Sequence, residues 1–210
     1  MELGCDQRCR IYTRLKSLMD SNDLTECDDF LLLARAQKDD RLAFAELVRR
    51  HQHSALRVAA VISGSTEEAK DIVQDAFVNL HRKLSTYRGT GSVRSWLLRV
   101  VANHAKNHVR SRIRRIRRDD RHVGLLVRVE DGTEQQVVQR LENLAVAEAL
   151  GRLQLHDREV LGCRFVAELS EAETATVLDI AIGTVKSRTS RALAKLKSEL
   201  ERVGSTEGDS

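Results

Sequence analysis

Residues 157–197 read DREVLGCRFVAELSEAETATVLDIAIGTVKSRTSRALAKLK. Ser170 followed by Glu173 has the spacing of a capping box, in which hydroxyl and carboxylate reciprocally satisfy the free N–H groups of a helix start. The helix so opened carries Ala172, Ala175, Val177 and Leu178 and ends near Leu178. Asp179-Ile180-Ala181 interrupts it. A second helix is predicted from about Ile182, with Val185, Ala192, Leu193 and Leu196 available for an apolar face. Its other positions hold Lys186, Ser187, Arg188, Ser190, Arg191, Lys195 and Lys197. Two short helices joined by a tight turn, the second with hydrogen-bond donors on its outer face, describe a helix-turn-helix whose second helix fits a major groove. The competing reading is a basic amphipathic helix that covers a core.

Outside that stretch the composition is informative. At 210 residues the chain is long enough for one domain with a sizeable core or for two small ones. Proline is absent, which removes the commonest helix breaker, and aromatics are 3%, so the core must be aliphatic. Net charge is only +4, but residues 88–118 hold ten Arg and Lys (Arg88, Arg94, Arg99, Lys106, Arg110, Arg112, Arg114, Arg115, Arg117, Arg118) and no Asp or Glu. A one-signed block in an otherwise balanced chain points to a polyanionic partner. The four cysteines, Cys5, Cys9, Cys27 and Cys163, are scattered, which argues against a disulfide framework and fits a reducing cytoplasm. Apolar runs reach only five residues, so no membrane insertion is expected, and no secretory signal is read at the N-terminus.

In chain order, residues 1–26 read as a polar extension. Cys5 and Cys9, with Cys27, His51 or His53, could make a metal site, but incidental cysteines are the plainer reading and no metal or other cofactor is expected. Helical spacing begins at Asp28 and continues through Leu42, Phe44, Leu47 and Val48 to Ile62, where Gly64 closes a helix. Ser65 with Glu68 has a second capping-box spacing and opens a helix to Leu84, whose apolar stripe runs from Ala69 through Phe77. Its opposite face carries Asp71, Gln74, Asp75, Asn79 and Arg82; taken alone this is a solvated face. A glycine-bearing loop precedes a helix over 95–110, with Trp96, Leu97, Val100, Val101 and Ala105 inward. Arg110–Arg118 is expected to carry positive charge past that helix. Residues 119–138 turn acidic and polar and read as a linker, and helical spacing resumes at Leu141.

A family resemblance joins these pieces. IAIGTVKSRTSRALAKL, residues 180–196, resembles the promoter-reading helix of bacterial RNA polymerase sigma factors, most closely the extracytoplasmic-function (ECF) group. DIVQDAFVNLHRKL, residues 71–84, is similar to the segment with which sigma factors dock on the coiled coil of the largest polymerase subunit. The helix over 95–110 resembles the family's element for opening the promoter near the start site. Departures are Asp179 where the family has a turn glycine, Ala181 where it has a capping Ser, Thr174 and Thr189 at usually apolar positions, and no proline near 154–155.

The resemblance implies an all-α fold of two small helical domains joined by a flexible linker. It places a polymerase-binding and −10 domain at 27–118, a linker at 119–138, a helix-turn-helix −35 domain at 139–203 and a disordered tail at 204–210. It assigns Asp71, Gln74, Asp75 and Phe77 to core polymerase. Arg88, Arg99, Asn103, Lys106, Asn107 and Arg110 are assigned to the −10 element, where cations suit phosphates and amides suit base edges. Lys186, Ser187, Arg188, Ser190 and Arg191 are assigned to the −35 element. The implied partners are core polymerase (its largest-subunit coiled coil and its flap), promoter DNA and an anti-sigma factor. The implied protein is a cytoplasmic, non-enzymatic specificity subunit. Two competitors are a stand-alone helix-turn-helix regulator and a metal-dependent nuclease using Asp71, Asp75 and His81; the latter lacks further carboxylates or a phosphate-cradling loop.

Overall fold

The computed structural model describes residues 24–87, 91–119 and 145–206, and among them every regular element is helical. The extension bearing Cys5 and Cys9, Arg88, most of the expected linker and the last four residues lie outside the described residues. Helix α1 is Asp29–Ala36, α2 Arg41–Ser63, α3 Thr66–Arg82, and a 3-10 turn follows at Leu84–Thr86. Helix α4 is Val93–Asp119. Helical turns over 145–152 make α5, followed by α6 Leu155–Leu161, a π-helical turn Gly162–Val166, α7 Glu171–Leu178 and α8 Ile182–Thr206.

Side-chain caps set most of these boundaries. Asp28 accepts from the Leu31 N–H at 2.7 Å, and Asp40 accepts from both Leu42 and Ala43 N–H at 3.1 Å. Gly64 ends α2 in the left-handed region (φ 77°), where a side chain would be strained. The Ser170–Glu173 capping box is complete: the Glu173 N–H donates to Ser170 Oγ (3.2 Å) and the Ser170 N–H donates to Glu173 Oε2 (2.9 Å). Asp179 ends α7 at φ 58°, ψ 51°, so this aspartate takes the left-handed turn in place of a glycine.

Several expectations need correction. At Ser65–Glu68 only half of a capping box forms. Ser65 Oγ accepts from the Glu68 N–H at 3.2 Å, but the Glu68 carboxylate turns to Arg112 at 2.8 Å. A charge-assisted bond to a guanidinium outcompetes one neutral N–H. The basic run does not leave the helix: α4 continues through Asp119, since no proline or glycine interrupts residues 110–118. Helix α8 likewise runs on through residues 204–206, inside the expected tail. Leu193 is 42% exposed rather than part of the buried stripe.

The core is aliphatic, as the composition requires. A smaller cluster ties α1 to the start of α2 through Leu31, Leu32, Leu33, Ala43 and Leu47. The larger one is continuous across both halves of the chain: Ala55, Val58 and Ile62 of α2, Ile72 and Phe77 of α3, and Leu97 and Val101 of α4 belong with Val160, Cys163, Leu169, Val177, Val185 and Ala192. The two helical regions therefore pack against each other through this larger cluster. At the π turn the two halves are in van der Waals contact, since a Cβ on Gly162 would lie 3.5 Å from Val61 Cγ1. Each fully buried aliphatic side chain contributes about 1.5–3 kcal/mol, so the shared cluster is a substantial bond between the halves.

Candidate nucleic-acid and partner-protein interfaces

Helices α2 and α3 enclose an open groove of about 620 Å³, lined by apolar Phe44, Val48, Leu56, Val73, Phe77 and Val78 with Gln74 among the polar residues at its edge. Capping at Ser65 sets the start of α3, and its 3.6-residue repeat then turns Ile72, Val73, Ala76 and Phe77 inward while Asp71, Gln74, Asp75 and Val78 stay exposed. Gln74 and Phe77 thus belong to the groove, with Phe77 only 8% exposed, and Asp71 and Asp75 stand one step round the helix from Val78. Sequence reasoning missed Val78 and the α2 side of the groove. The signal was available: Val78 is a lone apolar residue off the buried stripe, 47% exposed beside an acidic one.

The opposite side of the first half is formed by α4. Arg99, Asn103, Lys106 and Arg110 recur at four- and three-residue spacing and share one stripe, with Asn107 next to it. Asn103, Asn107 and Arg110 are exposed. Arg99 and Lys106 are half-buried, because the second half of the chain meets them. Lys106 Nζ lies 3.0 Å from Glu159 Oε1, and Arg99 Nη2 lies 3.6 Å from Asp179 Oδ1. The Lys106–Glu159 contact is an ion pair by distance, although its angles fall short of a hydrogen bond, so Oε1 accepts none. Near the start of α4, Arg94 donates to the Ala167 carbonyl at 2.6 Å and Ser95 donates to Glu173 Oε1 at 3.3 Å. Arg88 lies outside the described residues, so of the residues expected on this surface the structure brings together Arg99, Asn103, Lys106, Asn107 and Arg110.

Two further features brace α4 from behind. Asn79 Nδ2 of α3 is 2.9 Å from His104 Nε2, and burial pushes the His104 pKa down, which favours a neutral ring that can accept from the amide. Arg112 binds Glu68 and the Ser63 carbonyl (3.0 Å), fixing the helix against the α2–α3 turn. Tyr87 and Trp96 meet edge to face with centroids 5.2 Å apart, and Trp96 is only partly buried. Trp96 thus serves as packing at the rim rather than as a free stacking platform.

In the helix-turn-helix, Val185 and Ala192 fix the inward side of α8, leaving Lys186, Ser187, Ser190 and Arg191 on one outward arc. Arg188 sits on the flank of the buried side and is only half-exposed. Ala181 offers no side-chain cap, and its carbonyl instead accepts from the Thr184 and Val185 N–H groups at 2.9 and 3.1 Å. Lys195 pairs at 2.6 Å with Asp157, which is 1% exposed, so this lysine anchors α8 to α6 and is not part of the outward arc. The two departures at Thr have a visible cost: the Thr174 and Thr189 hydroxyls are buried and find no partner. An unsatisfied buried hydroxyl costs about 1–3 kcal/mol.

Of the candidate metal ligands, Cys5 and Cys9 lie outside the described residues. His51 Nε2 lies 2.7 Å from Asp29, and Cys27 is buried. His81 packs edge-on against Phe44 with centroids 4.8 Å apart. Among the described residues no three His, Cys, Asp or Glu side chains converge as a metal-binding group, and no helix is long and apolar enough to cross a membrane. Burial pushes the Cys163 thiol up to about 12, so it stays protonated.

Comparison with known proteins matches the same two regions. Residues 47–115 match the family model "Sigma-70 region 2" and residues 143–196 match "Sigma-70, region 4". The chain is 35% identical over 171 residues to the ECF RNA polymerase sigma factor SigM of Mycobacterium tuberculosis, covering 81% of this chain and 84% of that protein. It is 32% identical over 182 residues to the RNA polymerase sigma factor CnrH of Cupriavidus metallidurans, covering 82% and 94%. Among solved structures, that of CnrH in complex with the cytosolic domain of CnrY superposes with a TM-score of 0.64 at 28% identity, over 83% of this chain and 97% of that one.

Proposed function

This chain belongs to the extracytoplasmic-function sigma factors of the sigma-70 family, transcription-initiation specificity subunits of bacterial RNA polymerase, and from that premise we propose which surfaces carry each step. Core polymerase docks on the α2–α3 groove, where Phe77 lies in the apolar lining with Gln74, Lys70 and Arg82 among the polar residues, and on Asp71 and Asp75, which stand exposed on the same helix. An apolar centre with a charged rim is ordinary interface anatomy. The stripe Arg99, Asn103, Lys106, Asn107 and Arg110 on α4, together with Arg88, takes the −10 strand, its cations on phosphates and its amides on base edges. The outward arc Lys186, Ser187, Ser190 and Arg191, with Arg188 at its flank, enters the major groove at the −35 element. Domain limits follow from these roles: 27–118 for polymerase and the −10 element, 119–138 as connector, 139–203 for the −35 element. The chain carries no catalytic residue in this reading and acts in the cytoplasm, where its polymerase is. An anti-sigma partner is part of the proposal, since the similar CnrH is known in complex with CnrY.

The observation that carries this reading is the presence, on one chain, of two separate basic helix faces together with a third surface, an open apolar groove on the helix that also exposes Asp71 and Asp75. A stand-alone DNA-binding regulator has no use for the third. Run-off transcription on a promoter library, with purified core polymerase with and without this protein, tests it: initiation from a defined subset only in its presence is expected. Tight duplex binding by the protein alone with no initiation would instead identify a helix-turn-helix regulator. For the groove, Asp75→Arg should abolish association with core polymerase while leaving the circular dichroism spectrum unchanged.

A further inference from the structure

We propose that the N-terminal segment Ile11–Met19 docks as an amphipathic helix in the α2–α3 groove and competes there with core polymerase. The docking stands on the chain's own residues; its consequence for polymerase rests on the assignment of the groove to that partner. Residues 7–19 contain no proline or glycine, and they are bracketed by Asp6 and by Asp20-Ser21-Asn22, residues of helix caps and turns. Ile11, Leu15, Leu18 and Met19 stand at i, i+4, i+7 and i+8, the anchor pattern of a helix that lays one face in a groove. With Tyr12 they span an arc of about 120° on a helical repeat, while Thr13, Ser17 and Asp20 fall on the opposite side. An isolated helix of this length is marginal in water, so the pattern needs a partner surface.

The groove offers that surface within reach. Its α2 wall runs from Phe44 to Leu56, about 18 Å, and the anchors Ile11 to Met19 cover about 12 Å of helix. On the α3 wall Val78 is 47% exposed, so apolar surface stands open to a partner. The chain enters the described structure close by. The Leu24 and Thr25 carbonyls each accept from Arg50 Nη2 at 2.9 Å. Leu24 packs on the smaller core cluster, as does Phe44, the same Phe44 that lines the groove. From Met19 to Leu24 the chain reaches up to about 18 Å, and so short a tether gives an effective concentration on the order of millimolar. Residues 8–16 hold Arg8, Arg10, Arg14 and Lys16 and no acid, and Arg14 and Lys16 border the apolar arc on its two sides. Asp71 and Asp75, exposed on α3, are of opposite sign. Lys70 and Arg82, at the two ends of the α3 wall, find no counterpart in the arc, so matching by charge is partial and apolar contact carries the docking. A segment affinity of about 0.1 mM leaves about one molecule in ten open and weakens apparent core binding about tenfold.

The test uses the full chain. Peroxide oxidation of Met19, followed by mass spectrometry, reads the docking, because a thioether held among apolar side chains is shielded from the oxidant. Met19 of the native chain is expected to oxidise about tenfold more slowly than in the urea-unfolded chain. Val78→Asp in the groove, and Ile11→Asp with Leu15→Asp in the segment, should each bring it to the unfolded rate. Thr13→Asp with Ser17→Asp adds the same charges on the opposite side of the segment and should leave Met19 slow. Core polymerase binding is titrated in parallel: Ile11→Asp with Leu15→Asp should tighten it about tenfold, and the control pair should not. Fast oxidation of Met19 in the unaltered native chain, or protection that survives Val78→Asp, overturns the docking. Protection that grows with protein concentration overturns it in favour of a second copy. Protection at Met19 with core affinity unchanged by Ile11→Asp and Leu15→Asp overturns the competition, and Asp75→Arg then separates the causes. Loss of core association in Asp75→Arg keeps the groove as the polymerase site, whereas unaltered association removes that assignment as well.

Discussion

The basic residues of α4 and those of α8 are of the same types, yet they are placed differently. Lys186 reaches Glu171 at 3.6 Å, Ser187 donates to the Thr184 carbonyl and Arg191 donates to the Ser187 carbonyl, so their contacts stay within the helix-turn-helix. Lys106 and Arg99 reach across to the other half of the chain. One surface is ready for a polyanion as it stands; the other must first give up a partner. A run of like charge in a sequence therefore says that counter-charge is needed but not who supplies it.

The contrast can be broken most severely at Lys106. Lys106→Ala leaves the buried Glu159 carboxylate without its cation and should cost about 3 kcal/mol in urea unfolding. Arg191→Ala, on the exposed arc, should cost less than about 0.5 kcal/mol. Equal costs would mean that the Lys106–Glu159 pair does not hold the halves.

A change inside the helix-turn-helix should run the other way. Thr174→Val replaces a fully buried, unpartnered hydroxyl by a methyl group and should gain about 1 kcal/mol in thermal unfolding, with DNA affinity unchanged. A loss of stability would show that the hydroxyl is satisfied after all.

Ser170→Ala removes the α7 cap and should cost about 1 kcal/mol near neutral pH. Here pH sharpens the comparison. The Ser170 backbone N–H, then its hydroxyl, hold the Glu173 carboxyl below its ordinary value of 4.5. A carboxyl lowered in the folded state stabilises above the unfolded value and loses that contribution as pH falls through the folded one. The cost of Ser170→Ala should therefore shrink when unfolding is measured below about pH 4, and a constant cost across that range would mean Glu173 plays no part in the cap.

The smallest effect is on salt dependence. Arg191→Ala should flatten the slope of log affinity for duplex against log salt by about one unit. An unaltered slope would place Arg191 off the phosphates.

Local signals in the sequence were legible because their physics is local. Ser170 and Glu173 lie within one helical turn, the left-handed turn at Asp179 needs only its own backbone, and the outward arc of α8 follows from where Val185 and Ala192 point. The failures have one cause, competition from residues far away in sequence. Glu68 was predicted to cap its own helix, but Arg112 takes it from α4. The α4 stripe was legible as a basic face, whereas its pairing with Glu159 and Asp179 was not, because nothing near Lys106 marks a carboxylate as its neighbour. The packing of the two halves against each other was not legible for the same reason: apolar spacing tells which side of a helix is buried and not against which partner.

Glu159 and Asp179 are carried on the same chain as the cations they face. Contacts between groups tethered on one chain do not weaken on dilution, so the Lys106–Glu159 and Arg99–Asp179 pairs are independent of how many copies of the protein are present.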